Sequence, residues 1–187
     1  AEGSDKRNDL QIEQISFAGR PGGPALFSIA AVLEYQYGRG ELRLRSADPF
    51  DAPIVDNRFC EDNRDTRRLV ACMKDTLMFT RKGALKEMIK SITFPDPARG
   101  IDDESLSKLC RRFSASGYHP CGTVKMGDVK DPMSVVDQYG RAHRFDHLVV
   151  ADASIMPFVP RANTNLTCIM IGEMIGEWLR TQPEHYR

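Results

Sequence analysis

The 14 glycines of this 187-residue chain include no Gly-x-Gly-x-x-Gly turn, so it carries no dinucleotide-binding unit of the usual strand, turn and helix kind. The nearest cluster, Gly19-Arg20-Pro21-Gly22-Gly23-Pro24, has the prolines and spacing of a loop. Net charge is lacking as well: 26 lysines and arginines balance 26 aspartates and glutamates, and no global field selects nucleic acid or an anionic membrane. The five cysteines, Cys60, Cys72, Cys110, Cys121 and Cys168, are odd in number and form no Cys-x-x-Cys pair. That argues against a disulfide framework and against a zinc site, and leaves reduced, packed thiols as the expectation. No apolar run approaches the roughly 20 residues that span a bilayer. The polar start from Ala1 to Asp9 is no signal peptide, and an alanine at position 1 fits a processed or nicked product. A soluble, cytoplasmic chain without metal is expected. Ser154 lacks the flanking glycines of a nucleophile elbow, which argues against hydrolase chemistry.

What is present reads as an α+β fold. A frayed tail to about Asp9 precedes a short strand at Leu10 to Phe17, and Leu26 to Tyr35 reads as one or two extended segments. After Gly38-Arg39-Gly40, the alternation of Leu42 and Leu44 with Arg43 and Arg45 has the period of a half-buried strand, which predicts an antiparallel hairpin with the preceding run. Two prolines make Ser46 to Pro53 a turn-rich link. From Asn63 to about Lys90 the pattern is helical, with Leu69, Val70, Met73 and Leu77 on one side and basic residues on the other; Gly83 bends or breaks it. A second helix is predicted over Asp103 to Phe113, with Leu106, Leu109 and Cys110 inward. Leu148 to Ala151 suits a strand buried on both faces. Leu166 to Thr181 suits an amphipathic helix with Ile169, Met170, Met174, Ile175 and Trp178 inward and Asn163, Thr164 or Asn165 as its N-cap.

Three blocks carry the chemistry: Gly117-Tyr118-His119-Pro120-Cys121-Gly122-Thr123-Val124-Lys125-Met126-Gly127, then Val149 to Pro157, then Ala162-Asn163-Thr164-Asn165. In this order and spacing they resemble the C-terminal signature of the glucose-methanol-choline (GMC) family of flavin-dependent oxidoreductases. The runs Asp131 to Asp137 and Ala153 to Pro157 are most similar to its choline dehydrogenase branch. The resemblance implies an antiparallel-sheet substrate domain with helices over residues 1–136. It further implies a strand, loop and helix over 137–187 that complete an FAD-binding α/β domain. Because the glycine-rich turn is missing, that domain's larger part is expected on an N-terminal partner chain of the same enzyme, making a heteromer.

The same resemblance assigns roles. His119 is the base that takes the hydroxyl proton of a small-molecule alcohol while a hydride passes to flavin N5; histidine is the side chain whose ordinary pKa suits that task. Asn163 stands at a second position that holds histidine or asparagine in the family, where it donates to the substrate oxygen and exchanges no proton. Tyr118, His119, Asp152, Ala153, Asn163, Thr164 and Asn165 are the expected FAD contacts. Of these, the Ala153 amide meets the phosphate while Asp152 binds hydroxyl or backbone donors. The start of the last helix would point its positive end at the flavin. Gly122 and Thr123 position the loop. His143, His147 and His185 are expected in solvent. Two alternatives stay open: a hydroxynitrile lyase of the same family, which keeps FAD and uses the histidine for proton transfer only, and a non-catalytic subunit of a flavoprotein.

Overall fold

A computed structural model describes residues 5, 7–17, 22–23 and 26–186; the predicted loop at 18–24 lies largely outside the described residues. The chain forms two compact units, Ala1–Ala115 and Ser116–Arg187.

In the first unit β1 (Leu10–Phe17) pairs antiparallel with β2 (Leu26–Leu33), with Leu10 opposite Leu33 and Phe17 opposite Leu26. β1 has the bounds its sequence predicts. The predicted hairpin between Leu26–Tyr35 and the Leu42–Leu44 segment does not form. β3 (Glu41–Arg43) pairs instead with β4 (Ile54–Asp56), so the proline-rich link is the connection inside this second hairpin. Nor is β3 half-buried: Leu42 and Leu44 are 49% and 82% exposed, because among the described residues of this unit nothing covers so short a ribbon.

The long helical pattern divides into α1 (Asn63–Phe79) and α2 (Gly83–Met88). Asp62 caps α1 by accepting from the Arg64 amide at 2.8 Å, and Gly83 opens α2 at φ 56°, a conformation that glycine adopts without a Cβ penalty. α1 packs on β1, β2 and α3 (Asp103–Phe113). Cys60, Val70, Leu106 and Cys110 form the buried cluster there, with Leu69, Met73 and Leu109 against it, much as the spacing predicts. The basic side of α1 is the exception. Arg68 is 1% exposed and donates to Asp9 Oδ2 through Nε (3.0 Å) and Nη2 (2.6 Å), and to Asp65 Oδ1 through Nη1 (3.3 Å). Asp65 in turn accepts from the amides of Tyr37 and Gly38 at 2.9 and 2.7 Å. Asp9 therefore does not fray; a charge inside must be paired, and periodicity alone cannot tell a buried guanidinium from a solvated one.

The second unit has little regular structure before α4 (Asn165–Thr181). Its loops are joined by isolated bridges, Met126 to Val136, Val136 to Ala142 and Arg141 to Val149. The strand predicted at Leu148–Ala151 is reduced to one of these bridges, with Leu148 and Ala151 exposed. A strand buried on both faces needs two neighbours, and these residues have one irregular neighbour here. Val136, Ile155, Met156, Ile171 and Ile175 make the core, with Cys121, Val149, Val150, Cys168 and Trp178 packed on it. α4 thus turns Cys168, Ile171, Ile175 and Trp178 inward. Ile169, Met170 and Met174, predicted inward, are 53%, 51% and 43% exposed. Both faces of α4 are apolar, so the sequence could not choose between them. All five cysteines are free thiols; Cys60, Cys72 and Cys110 are buried and the other two half-buried.

Candidate active site

The loop carrying His119 begins with strain. Tyr118 sits in the left-handed region at φ 63°, its amide donating to Ser116 Oγ at 3.0 Å, a conformation that costs a non-glycine residue about 1–2 kcal/mol. Such strain concentrates where a side chain must be aimed. Gly122 follows at φ 83°, and a Cβ there would lie 3.1 Å from the Met156 carbonyl oxygen, so both conformation and proximity call for glycine. The amides of Gly122, Val124 and Met126 then donate to the carbonyls of Ala153, Ser154 and Ile155 at 3.2, 2.9 and 2.8 Å. By these three bonds the His119 block is laid along the Asp152–Ala153 block.

The third block meets the same loop from the other side. Asn163 Nδ2 donates to His119 Nε2 at 2.9 Å, and Thr164 Oγ1 lies 3.1 Å from His119 Nδ1, across 44 and 45 positions of sequence. His119 is half-buried, Asn163 exposed, and Thr164 6% exposed. Thr164 occupies the N-cap position of α4, yet its side chain makes no bond to the helix amides. A capping hydroxyl contributes about 1 kcal/mol, so this one is diverted from the helix to the imidazole. Asn163 caps nothing either, and its carboxamide serves the histidine. The start of α4, where Asn165 is the first helical residue, keeps its positive pole without a side-chain cap.

Asp152 caps the short 3-10 turn Ala153–Ile155; its carboxylate accepts from the Ser154 amide at 2.8 Å and from the Ser154 hydroxyl. Its carboxylate is thus engaged by donors of the same turn. The structure therefore brings together His119, Asn163 and Thr164, and links Asp152 and Ala153 to them through the Gly122 amide. The Tyr118 ring instead stands 91% exposed.

Two of the three histidines expected in solvent are engaged. His143 Nε2 lies 2.7 Å from Ser134 Oγ and 3.2 Å from the Gly127 carbonyl oxygen. The His185 ring stacks on Tyr139 at 4.6 Å between centroids. Neither was legible, because both partners lie in loops whose return path no periodicity encodes. His147 is exposed, and no cluster of metal-binding side chains occurs among the described residues. Cys121 packs on the core of this unit. Sequence reasoning missed the contact of the Thr164 side chain with the imidazole, offering this residue only as a candidate cap and a flavin contact; the available signal was a threonine at a helix start directly after the second site residue.

Residues 36–172 match the family model described as GMC oxidoreductase. The chain belongs to the GMC oxidoreductase family. It is similar to an oxygen-dependent choline dehydrogenase of Cronobacter sakazakii, 37% identical over 145 residues, covering 76% of this chain and 25% of that protein. Among solved structures it resembles a fungal aryl-alcohol oxidase at 28% identity and TM-score 0.68, covering 81% of this chain and 25% of that one. A formate oxidase from Aspergillus oryzae, studied for modification of its FAD, shares the fold at TM-score 0.82 and 19% identity, covering 96% and 32%. Helices with small antiparallel sheets are thus the fold of this family's C-terminal domain, and the family is FAD-dependent. The chain spans about a quarter of the length of the curated relatives it matches. No helix among the described residues is long and apolar enough to cross a membrane.

Proposed function

We propose that this chain supplies the substrate domain and the proton-handling residues of an FAD-dependent enzyme that oxidises an alcohol to a carbonyl. The observation that carries the reading is the 2.9 Å bond between Asn163 Nδ2 and His119 Nε2. One acceptor and one donor face each other there, and an alcohol hydroxyl is the small group that can enter between them with both of its functions used. It donates its hydrogen to Nε2 and accepts from the carboxamide. His119 then removes the proton, and Asn163 steadies the oxygen as negative charge develops on it, in the manner of an oxyanion donor. Asparagine cannot titrate, which leaves His119 as the one proton acceptor of the pair.

The residues fit FAD. α4 starts without a side-chain cap, so its positive pole can meet the electron-rich edge of the ring, and Asp152 has its charge engaged by Ser154. Tyr118, His119, Ala153, Asn163, Thr164 and Asn165 would line the remaining contacts. FAD, when bound, supplies the hydride acceptor. In this reading residues 1–136 form the substrate domain and 137–187 complete the flavin domain, whose glycine-rich turn lies on an N-terminal polypeptide outside this sequence. The apolar outer face of α4, with Leu166 78% exposed beside Ile169, Met170 and Met174, supports such a partner.

The test is steady-state alcohol oxidation by the flavin-loaded, assembled enzyme. His119→Ala should lose about 10²- to 10⁴-fold in kcat, and Asn163→Ala about 10²-fold. Unchanged turnover in the His119 variant would make this a structural subunit and end the proposal.

A further inference from the structure

The three-membered arrangement around His119 carries one step more, which rests on the reading of His119 as the proton acceptor. An imidazole can serve as a base toward the alcohol only if the nitrogen facing the alcohol is the unprotonated one. A neutral ring has two tautomers, and which one forms is set by the bond made at the far nitrogen. At Nε2 the neighbour is the Asn163 amide nitrogen, which can only donate, so Nε2 is an acceptor. Nδ1 therefore carries the proton of the neutral ring, and the group 3.1 Å from it is Thr164 Oγ1.

We infer that Thr164 is a positioning residue: its hydroxyl oxygen accepts from Nδ1–H, holds His119 in the Nδ1-protonated tautomer and so keeps the Nε2 lone pair aimed at the substrate hydroxyl. Three independent features of the fold agree. Thr164 is the one buried polar residue of its unit among the described residues, so its hydroxyl is shielded from competing water. It holds an N-cap position while leaving the helix amides alone, the usual partners of such a hydroxyl. And it adjoins Asn163, so a single backbone segment, fixed by the start of α4, sets both nitrogens of the ring at once. When His119 takes up the substrate proton both nitrogens become donors, and Thr164 Oγ1 remains a matched acceptor at Nδ1 throughout. The oxygen thus serves the base before and after the transfer.

The imidazole nitrogens report this directly. In the assembled enzyme labelled with 15N histidine, the His119 signals, assigned by their loss in His119→Gln, should show Nδ1 protonated and Nε2 bare in the neutral ring. Thr164→Val, which keeps the shape and removes the hydroxyl, should move population toward the Nε2-protonated form. It should also lower kcat by about ten- to a hundredfold, the usual effect of losing an orienting partner of a functional histidine, with KM nearly unchanged. Thr164→Ser should restore both readouts. A wild-type ring protonated at Nε2 overturns the inference, even should the valine variant fail to fold. So does a valine variant with a wild-type spectrum, or a serine variant with none of the rescue. The spectra involve neither alcohol nor flavin reduction, so an enzyme that proves unable to oxidise alcohols refutes the functional reading while leaving the tautomer result to stand or fall alone.

Discussion

Replacing Arg68 by methionine removes the cation from the most deeply buried charge network of the first unit. Arg68, Asp9 and Asp65 are 1%, 3% and 4% exposed, so neither aspartate can turn to water when the guanidinium is gone. Asp65 keeps the amides of Tyr37 and Gly38 at 2.9 and 2.7 Å, and Asp9 Oδ2 loses bonds of 3.0 and 2.6 Å. Breaking one side of a buried pair costs about 3–5 kcal/mol. Against the 5–15 kcal/mol that holds an ordinary domain together, about a fifth or more of the stability should vanish. Urea unfolding should show the midpoint falling at nearly constant slope, since the change alters stability and not the surface exposed. Adding Asp9→Asn to Arg68→Met should recover at least about 1 kcal/mol, because one of the two buried carboxylates facing Arg68 is then neutral. A single-variant loss below about 1 kcal/mol, or strict additivity in the double variant, would refute the claim that this network is held together by mutual burial.

Three further outcomes follow from the packing and charge of the two units. Gly140→Ala forces a left-handed residue (φ 76°) whose Cβ meets the Val150 carbonyl oxygen and lies 2.8 Å from Ile175 Cδ1; strain and overpacking together should destabilise the second unit by about 2–5 kcal/mol, read by thermal unfolding. Asp137 is pushed up by its partial burial, but the Arg141 guanidinium and the amides of Arg141 and Tyr139 outweigh this and hold it below the ordinary 3.8. A lowered folded value contributes stability at pH above about 4 that disappears as pH falls through the folded pKa, so Asp137→Asn should flatten the acid limb of the stability profile. Burial first, then the neighbouring Cys60, raises the Cys110 thiol to about 11, and burial raises Cys72 as well. Alkylation of the folded protein at pH 8 should therefore mark the half-buried Cys121 and Cys168 well before either of these, as peptide mapping would show.

What the residues disclosed and what they hid divide along physical lines. β1 and α3 matched their expected bounds; α3 has a single apolar side and a clear start signal, Asp102 accepting from the Ser105 amide. The pairing of β2 with β1 rather than β3 was hidden, since an edge alternating leucine and arginine does not say which strand it meets. Arg68 was hidden because its partners Asp9 and Asp65 lie 59 and 3 residues away and a basic helix face ordinarily lies in water. α4 was legible as a helix but not as a face, with apolar residues all round. The site fared better. His119 and Asn163 are brought together as the motif order implies, because Gly122 lets its loop lie against Met156 and α4 begins at the next block. The threonine between asparagine and helix reads as one of three candidate caps, its ordinary use. Its service to the imidazole instead is a tertiary fact that no local pattern carries.

The most direct test of the central claim, that His119 and Asn163 together prepare an alcohol for oxidation, is the flavin absorbance of the assembled enzyme mixed with an alcohol in the absence of oxygen. The yellow colour should bleach rapidly in the wild type, and about 10²-fold or more slowly when His119 is alanine. Persistent colour in the wild type would point to lyase chemistry, and equal rates in the two proteins would remove His119 from the reaction.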